Sequence, residues 1–299
     1  MRKTQPSFTS LNSQTEDNTR LERRRNRFIN ESTSTTNKSV KSNIDANQPL
    51  IGTCEKLEKS YLRLTSAPDP STIRPLNILE KAFPFIMDKY KSNSDWSYLN
   101  SQLKSIRQDL MVQSIRNNFT VLVYEENARI ALEMNDRDQF VQCQTQLEIL
   151  YDNGCNRTHL VEFLIYRLLY SLLINDYKRV NRILIEIDQV TKTDGLNITL
   201  QFCSAFRRKN YMELFIFYKS LPKLARYLVD LFIDIYRKQM IENLICGFSP
   251  TFPIEIVTSM LAYESDDICQ EHLRSFGVQF LPNSMNIDCK TSRISFNKT

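Results

Sequence analysis

From Pro75 onward, apolar residues recur three or four positions apart almost without pause. Phe119, Val123, Ile130 and Met134 keep that spacing, as do Phe140, Cys143, Leu147 and Leu150, so each set predicts one buried helix face. The pattern predicts further helices near Pro75–Tyr90, Ser94–Arg116, His159–Ile174, Tyr177–Val190, Leu196–Arg208 and Tyr211–Lys219, with Pro84 expected to kink the first. Asp136 is placed to cap the helix that follows it. Asn135–Asp136, Asp152–Asn156 and Asn175–Asp176 read as short turns, and helices joined by short turns are antiparallel neighbours. A pair of such helices takes about 35 to 40 residues, the size of a TPR-like repeat. No consensus repeat signature is present, so an irregular right-handed solenoid is the expectation.

The pattern changes after Gly247. Pro250 and Pro253 punctuate, Ile254–Ala262 makes a short helix, and Ser265 is placed to cap another, with Asp266 and Asp267 at its positive end and Gly277 at its C′ position. Val278–Leu281 and Met285–Asp288 then read as two short strands around Pro282-Asn283. Helix, helix, hairpin is the order of a winged helix. The predicted fold is all-α with a small β wing: an irregular TPR-like α-solenoid followed by a C-terminal winged helix. The expected division is a tail over 1–48, a helical solenoid over 49–237, a winged helix over 238–292 and a short tail over 293–299.

Composition narrows the function. Only 5 Gly in 299 residues leave no phosphate-cradling loop, and the 7 Cys lie far apart with no C-x-x-C, which reads as reduced thiols rather than a disulfide or zinc framework. No apolar signal segment opens the chain, and the longest apolar run, Leu160–Ile174, is short and cut by Glu162 and Arg167, so a soluble intracellular chain is expected. The only histidines are His159 and His272; Cys155 and His159 stand four apart, but Asn153-Gly154 predicts a turn there rather than one helix face. Glu125-Glu126 and Asp266-Asp267 read as solvated charge or dipole matching. No catalytic group, metal, cofactor or small-molecule substrate is expected.

Charge is unevenly placed: nine Lys/Arg against five Asp/Glu fall within 1–48, so four of the five net positive charges belong to that polar, Ser/Thr/Asn-rich stretch. It holds too little apolar surface to fold and is expected to be disordered, apart from a short helix over Leu21–Ile29. There Arg23, Arg24, Arg25 and Arg27 suit an import signal or an RNA arm, a solvated segment being the plain alternative. A second basic group is Lys219, Lys223 and Arg226, on one face if a helix passes Pro222, followed by Arg237 and Lys238. Asp230 and Asp234 continue that face, so pairing along the helix is the alternative to phosphate contact. In the predicted second helix of the wing, Cys269, Leu273 and Phe276 face a core, leaving Asp267, Gln270, Glu271 and Arg274 outside. Its two acids would repel a phosphate backbone, so major-groove reading by this helix is not expected; of these residues Arg274 alone remains a candidate nucleic-acid contact. The strands carrying Val278, Phe280 and Ile287 are the candidate edge for pairing with another protein. The aromatics between Tyr211 and Tyr236 are read as core rather than base-stacking platforms.

Three blocks carry a family resemblance: PLIGTCEKLEKSYLRLTSAPDPSTIRP from Pro49 to Pro75, LKSIRQDLMVQSIRNNFTVLVYEENARIALE from Leu103 to Glu133, and FVQCQTQLEILY from Phe140 to Tyr151. They resemble the SAC/GANP family of PCI-domain proteins, on its leukocyte receptor cluster member eight branch. Tyr124, Glu125, Ala128 and Arg129 agree with that branch, whereas Asn127 stands where it usually has a histidine. The resemblance implies the PCI architecture and a non-catalytic nuclear scaffold, with the cytoplasm as a second compartment. It would act in transcription-coupled mRNA processing, splicing and export. It also implies pairing with a second PCI protein, a small acidic peptide on that partner, and a composite RNA-binding surface. The alternative is an interaction subunit of a proteasome-lid, signalosome or initiation-factor assembly without RNA affinity. In the Pro49–Pro75 block, Leu57, Tyr61 and Leu64 read as a short amphipathic piece, with Tyr61 and Leu64 expected to seat the chain on the solenoid and the prolines to fix its path.

Overall fold

The structure, a computed structural model, describes residues 50–282 and 284–296. The stretch with Arg23, Arg24, Arg25 and Arg27 lies outside them. The solenoid is built from helix pairs: α1 (Leu76–Asn93) with α2 (Trp96–Val112), α3 (Asn118–Glu133) with α4 (Arg137–Asp152), α5 (Leu160–Leu173) with α6 (Tyr177–Ile187), and α7 (Asp194–Arg207) with α8 (Tyr211–Ser220). One turn chemistry recurs inside three of the pairs. A left-handed residue (Asn135, Asn175, Lys209) ends the first helix, and the next residue (Asp136, Asp176, Asn210) caps the second. Each capping residue also donates its N–H five residues back, Asp136 to Ala131 O at 2.8 Å, Asp176 to Ser171 O at 2.9 Å and Asn210 to Ala205 O at 3.0 Å. Both orphaned helix ends are thereby satisfied within two residues, which forces an antiparallel return.

One large core runs from Val121 to Cys289, joining the solenoid to the C-terminal elements. A smaller core lies between α1, α2 and one face of α3 (Val123, Ile130). Phe163 packs edge-on to Tyr166 at 5.4 Å, and Phe140 to Tyr166 at 6.3 Å. Each such burial contributes about 1.5–3 kcal/mol. The two charges that interrupt the apolar run of α5 tie helices together. Glu162 receives a fork from Arg129 of α3 (2.9 and 2.6 Å), and buried Arg167 reaches Glu148 of α4 (2.8 Å) and Glu186 of α6 (3.0 Å). Burial raises the Glu162 pKa, but the Arg129 fork and the Tyr166 hydroxyl outweigh it and hold it below the ordinary 4.5. Such a carboxyl supplies stability that is complete above its unfolded pKa and drains away as pH falls through its folded one. Glu162→Gln should therefore flatten the loss of stability below pH 4.5, read from urea midpoints across acid pH; an unchanged acid limb contradicts it.

The segment before α1 departs from expectation. Residues around Leu57–Leu64 form no helix, and the side chains of Tyr61 and Leu64 are 40% and 43% exposed, so they do not seat the chain as expected. Polar groups do the seating instead. Fully buried Arg74 donates to Asp109 (2.7 Å), Ser105 (2.9 Å) and Leu57 O (3.0 Å). Lys59 N donates to Gln102 Oε1 (2.9 Å), Tyr61 N to Ser101 Oγ (3.1 Å), and Gly52 N to Gln113 Oε1 (3.0 Å), so α2 carries the extended chain on its side chains. Gly52 is required there: a Cβ would lie 2.2 Å from Ile73 O.

After α8 the chain breaks at Leu221–Pro222 before α9 (Lys223–Asp230), since proline cannot supply the interior N–H. No single helix carries Lys219, Lys223 and Arg226. Helix α9 packs against α5 and α3, and α10 (Ile233–Gly247) leads to the wing. The aromatics of this stretch are mainly core, with Phe215 and Tyr218 buried. Strand β1 (Thr251–Pro253), helices α11 (Ile254–Met260) and α12 (Asp266–Ser275), and strand β2 (Asn286–Asp288) follow. Helix α13 (Cys289–Phe296) then extends into the stretch read as a tail. Arg293 explains its docking: it donates to the carbonyls of Ile245 (2.7 Å), Cys246 (2.8 Å) and Phe248 (2.8 Å), where α10 ends.

Candidate partner and nucleic-acid interface

The wing adds a strand to the expected hairpin. β2 pairs antiparallel with β1, which precedes the two helices, in the register Thr251↔Asp288, Phe252↔Ile287 and Pro253↔Asn286. On its other side Ile287 bridges Phe280, flanked by Asp288 N to Gln279 O (2.9 Å) and Leu281 N to Asn286 O (3.0 Å). Ile287 therefore sits in the middle, and it and Val278 are both 2% exposed. These two are core residues, not edge residues, a correction with two causes: β1 takes the side of Ile287 that the hairpin reading left open, and Val278 N donates back to Leu273 O (3.1 Å). On the outer edge of β1, Pro253 donates no hydrogen bond.

Phe280 is different. In an antiparallel ladder whose bonds run through residues 279 and 281, the N–H and C=O of the residue between them point away from the partner strand. That outward edge borders a groove of about 640 Å³ lined by Arg274, Gln279, Leu281, Pro282 and Met285 beside Phe280 itself. Arg274 lies over the Phe280 ring at 5.4 Å, leaving the guanidinium exposed.

Helix α12 forms as its sequence dictates. Ser265 caps it by accepting from Ile268 N (3.3 Å), Gly277 takes φ 88°, and Cys269 and Leu273 are fully buried while Asp267, Glu271 and Arg274 face outward. Burial pushes the Cys269 thiol up, and Thr258 and, less, Arg237 only partly oppose it.

The expected basic group is divided in two. Lys219, Lys223 and Lys238 are exposed, although Lys219 donates to Ser259 O (2.8 Å). Arg226 and Arg237 are structural. Arg226 donates to Lys219 O (2.5 Å) and lies over the Tyr218 ring at 5.6 Å, closing the break at Pro222. Arg237 stacks on Tyr263 at 4.3 Å and reaches Asp234 (3.1 Å) and the carbonyls of Leu261 (3.3 Å) and Ala262 (3.4 Å). Asp230 pairs with neither cation; it accepts from Tyr218 Oη (2.5 Å), and burial raises its pKa against that bond.

Elsewhere, His159 bonds Glu125 (2.6 Å) rather than Cys155. Glu125 is 3% exposed and also accepts from Tyr151 Oη (2.7 Å), so it is a buried acceptor and not solvated charge. Glu125 stands in a pair that reads as solvated charge, and no local spacing in the sequence marks Arg74 as a structural hub. Among the described residues no group of three or more His, Cys, Asp or Glu is placed to hold a metal ion, and no helix is long and apolar enough to cross a membrane.

Comparison with known proteins agrees with this architecture. The chain is 39% identical over 269 residues to a THP3 homolog of Schizosaccharomyces pombe, covering 89% of this chain and 68% of that protein. It is 37% identical over 257 residues to the leukocyte receptor cluster member 8 homolog of Xenopus laevis, covering 85% of this chain but 32% of that one. Against protein THP3 of Saccharomyces cerevisiae the identity is 35% over 223 residues, covering 72% of this chain and 47% of that one. A family model for the SAC3/GANP family matches residues 22–281, and with it the chain belongs to the SAC3/GANP family.

Proposed function

We propose that this chain is a non-catalytic nuclear scaffold in mRNA processing and export, that it pairs with a second PCI-domain protein carrying a small acidic peptide, and that the pair binds RNA. Membership of the SAC3/GANP family supports the scaffold role. The observation that carries the pairing is the outward backbone of Phe280 beside an open groove. A partner's strand added there gains main-chain hydrogen bonds and buries the Phe280 ring. Lys219, Lys223, Lys238 and Arg274 are the cations left exposed for phosphates, whereas Arg226 and Arg237 are tied to the protein.

The test is co-expression with a PCI-domain protein of the same cell, followed by sedimentation. The wild-type chain is expected to run as a heterodimer. Phe280→Glu, at a half-buried position, should remain folded and sediment alone. A heterodimer that survives Phe280→Glu places the pairing surface elsewhere. A partner bound without RNA affinity supports the interaction-subunit alternative instead.

A further inference from the structure

A second groove, of about 550 Å³, opens between α2, α3 and α4 beside the extended segment at Tyr61. Its charged lining residues are Lys104 and Arg107, with no acid among them. Arg107 is 8% exposed and makes no ion pair among the described residues. Its Nη2 donates to Gln139 Oε1 (2.7 Å) and its Nη1 to the Cys143 sulfur (3.2 Å), while its Nε has no partner among the described residues. The ring of Tyr124 lies 5.7 Å away, a partial compensation. Burial pushes Tyr124 up to about 12 and the Cys143 thiol up to about 11, so neither neighbour ionises at neutral pH to balance the guanidinium. Arginine cannot shed its proton, and a buried cation without a counter-charge is costly. Every other arginine of comparable burial here, Arg74 and Arg167, has a carboxylate within 3.0 Å.

We infer that this groove binds an acidic side chain of an extended polypeptide segment of a partner, whose carboxylate meets Arg107 and Lys104. The rest of the lining favours a peptide over a nucleic acid. It is rich in amides (Gln108, Gln139, Gln142, Gln146), which accept and donate along an extended backbone, and two cations are few for a phosphate chain. The molecule already uses this mode next door. Gln108 donates to Leu62 O (3.0 Å) and Gln102 accepts from Lys59 N (2.9 Å), holding the chain's own extended segment on the same helix. The groove shares no residue with the wing groove, so this inference stands or falls apart from the pairing proposed above.

The test is fluorescence anisotropy with the full chain and a fluorescein-labelled peptide of alternating Glu and Val residues. The competitors are its Gln/Val counterpart, oligouridine and inorganic phosphate. The Glu peptide is expected to bind, and the Gln counterpart to bind at least about tenfold more weakly, the effect of about 1.4 kcal/mol. Lys104→Glu, at the half-exposed rim, should fold normally and weaken the Glu peptide by about tenfold or more. Arg107→Met should abolish binding; if that variant fails to fold, Lys104→Glu and the Glu/Gln comparison still decide. Equal binding of the two peptides, or indifference to Lys104→Glu, overturns the inference. Oligouridine displacing the peptide assigns the groove to nucleic acid, phosphate displacing it equally well assigns it to a small anion, and self-association abolished by Lys104→Glu assigns it to a second copy; each of these also overturns it.

Discussion

Arg74→Met should cost about 3–5 kcal/mol of stability, the range for breaking a buried ion pair from one side. Arg74 is fully buried and holds Asp109 at 2.7 Å, Ser105 at 2.9 Å and the carbonyl of Leu57 at 3.0 Å. Methionine fills much of the volume but leaves Asp109 buried with only Lys59, whose Nζ is 2.5 Å away and partly solvated. The Leu57 carbonyl and the Ser105 hydroxyl lose their partner in the same step. Urea unfolding of the two chains gives the number. Arg74→Met combined with Asp109→Leu should recover more than half of the loss, because the one charge then left without its carboxylate, Lys59, is partly solvated and still donates to Thr72 O (2.7 Å). A single-variant cost under about 1 kcal/mol, typical of a surface pair, would contradict the description.

The second large effect is expected at Glu125. Its buried carboxylate accepts from Tyr151 Oη at 2.7 Å and from His159 at 2.6 Å, with Arg129 at 3.7 Å. Burial, reinforced by the Glu125 bond, raises the Tyr151 hydroxyl pKa far above its usual value, so the phenol stays protonated and donates. Glu125→Ala strands that hydroxyl in a dry site, at about 1–3 kcal/mol, and removes the bond to His159 as well. A total near 3 kcal/mol is expected, with Glu125→Gln costing less than half of it because an amide oxygen still accepts. Tyr151→Phe on the alanine background should recover part of the loss, since it removes the hydroxyl that Glu125→Ala leaves stranded. Full additivity in the urea cycle would show that the two side chains are not coupled.

What could be read in the sequence follows from how local each signal is. Helix faces and N-caps depend on neighbours within four residues, so Asp136 and Ser265 were legible, as was the core face of Cys269 and Leu273. Strand pairing depends on distant chain. Thr251–Pro253 carries two flanking prolines and looks like punctuation, yet it takes one side of β2 and turns Ile287 from an edge into a centre. The same holds for charge. Arg237 and Lys238 are adjacent and look alike, but only the fold decides that one stacks on Tyr263 while the other stays in water. The seating of residues 52–62 has a related cause: the apolar spacing of Leu57, Tyr61 and Leu64 points to apolar seating, whereas the backbone is held by Gln102 and Gln113, which show no periodicity.

The central claim is that this chain and a PCI partner together make an RNA-binding surface from the exposed cations near the wing. The direct measurement is the affinity of the reconstituted pair for a single-stranded RNA, taken over a range of salt. Each neutralised phosphate contributes about −0.7 to the slope of log K against log salt, so four contacts from this chain predict a slope near −3 or steeper. Lys223→Glu with Lys238→Glu should make the slope shallower by about 1.4 while the heterodimer stays intact. A pair that forms but binds RNA with a flat slope, or with a slope those two changes leave untouched, would contradict the account.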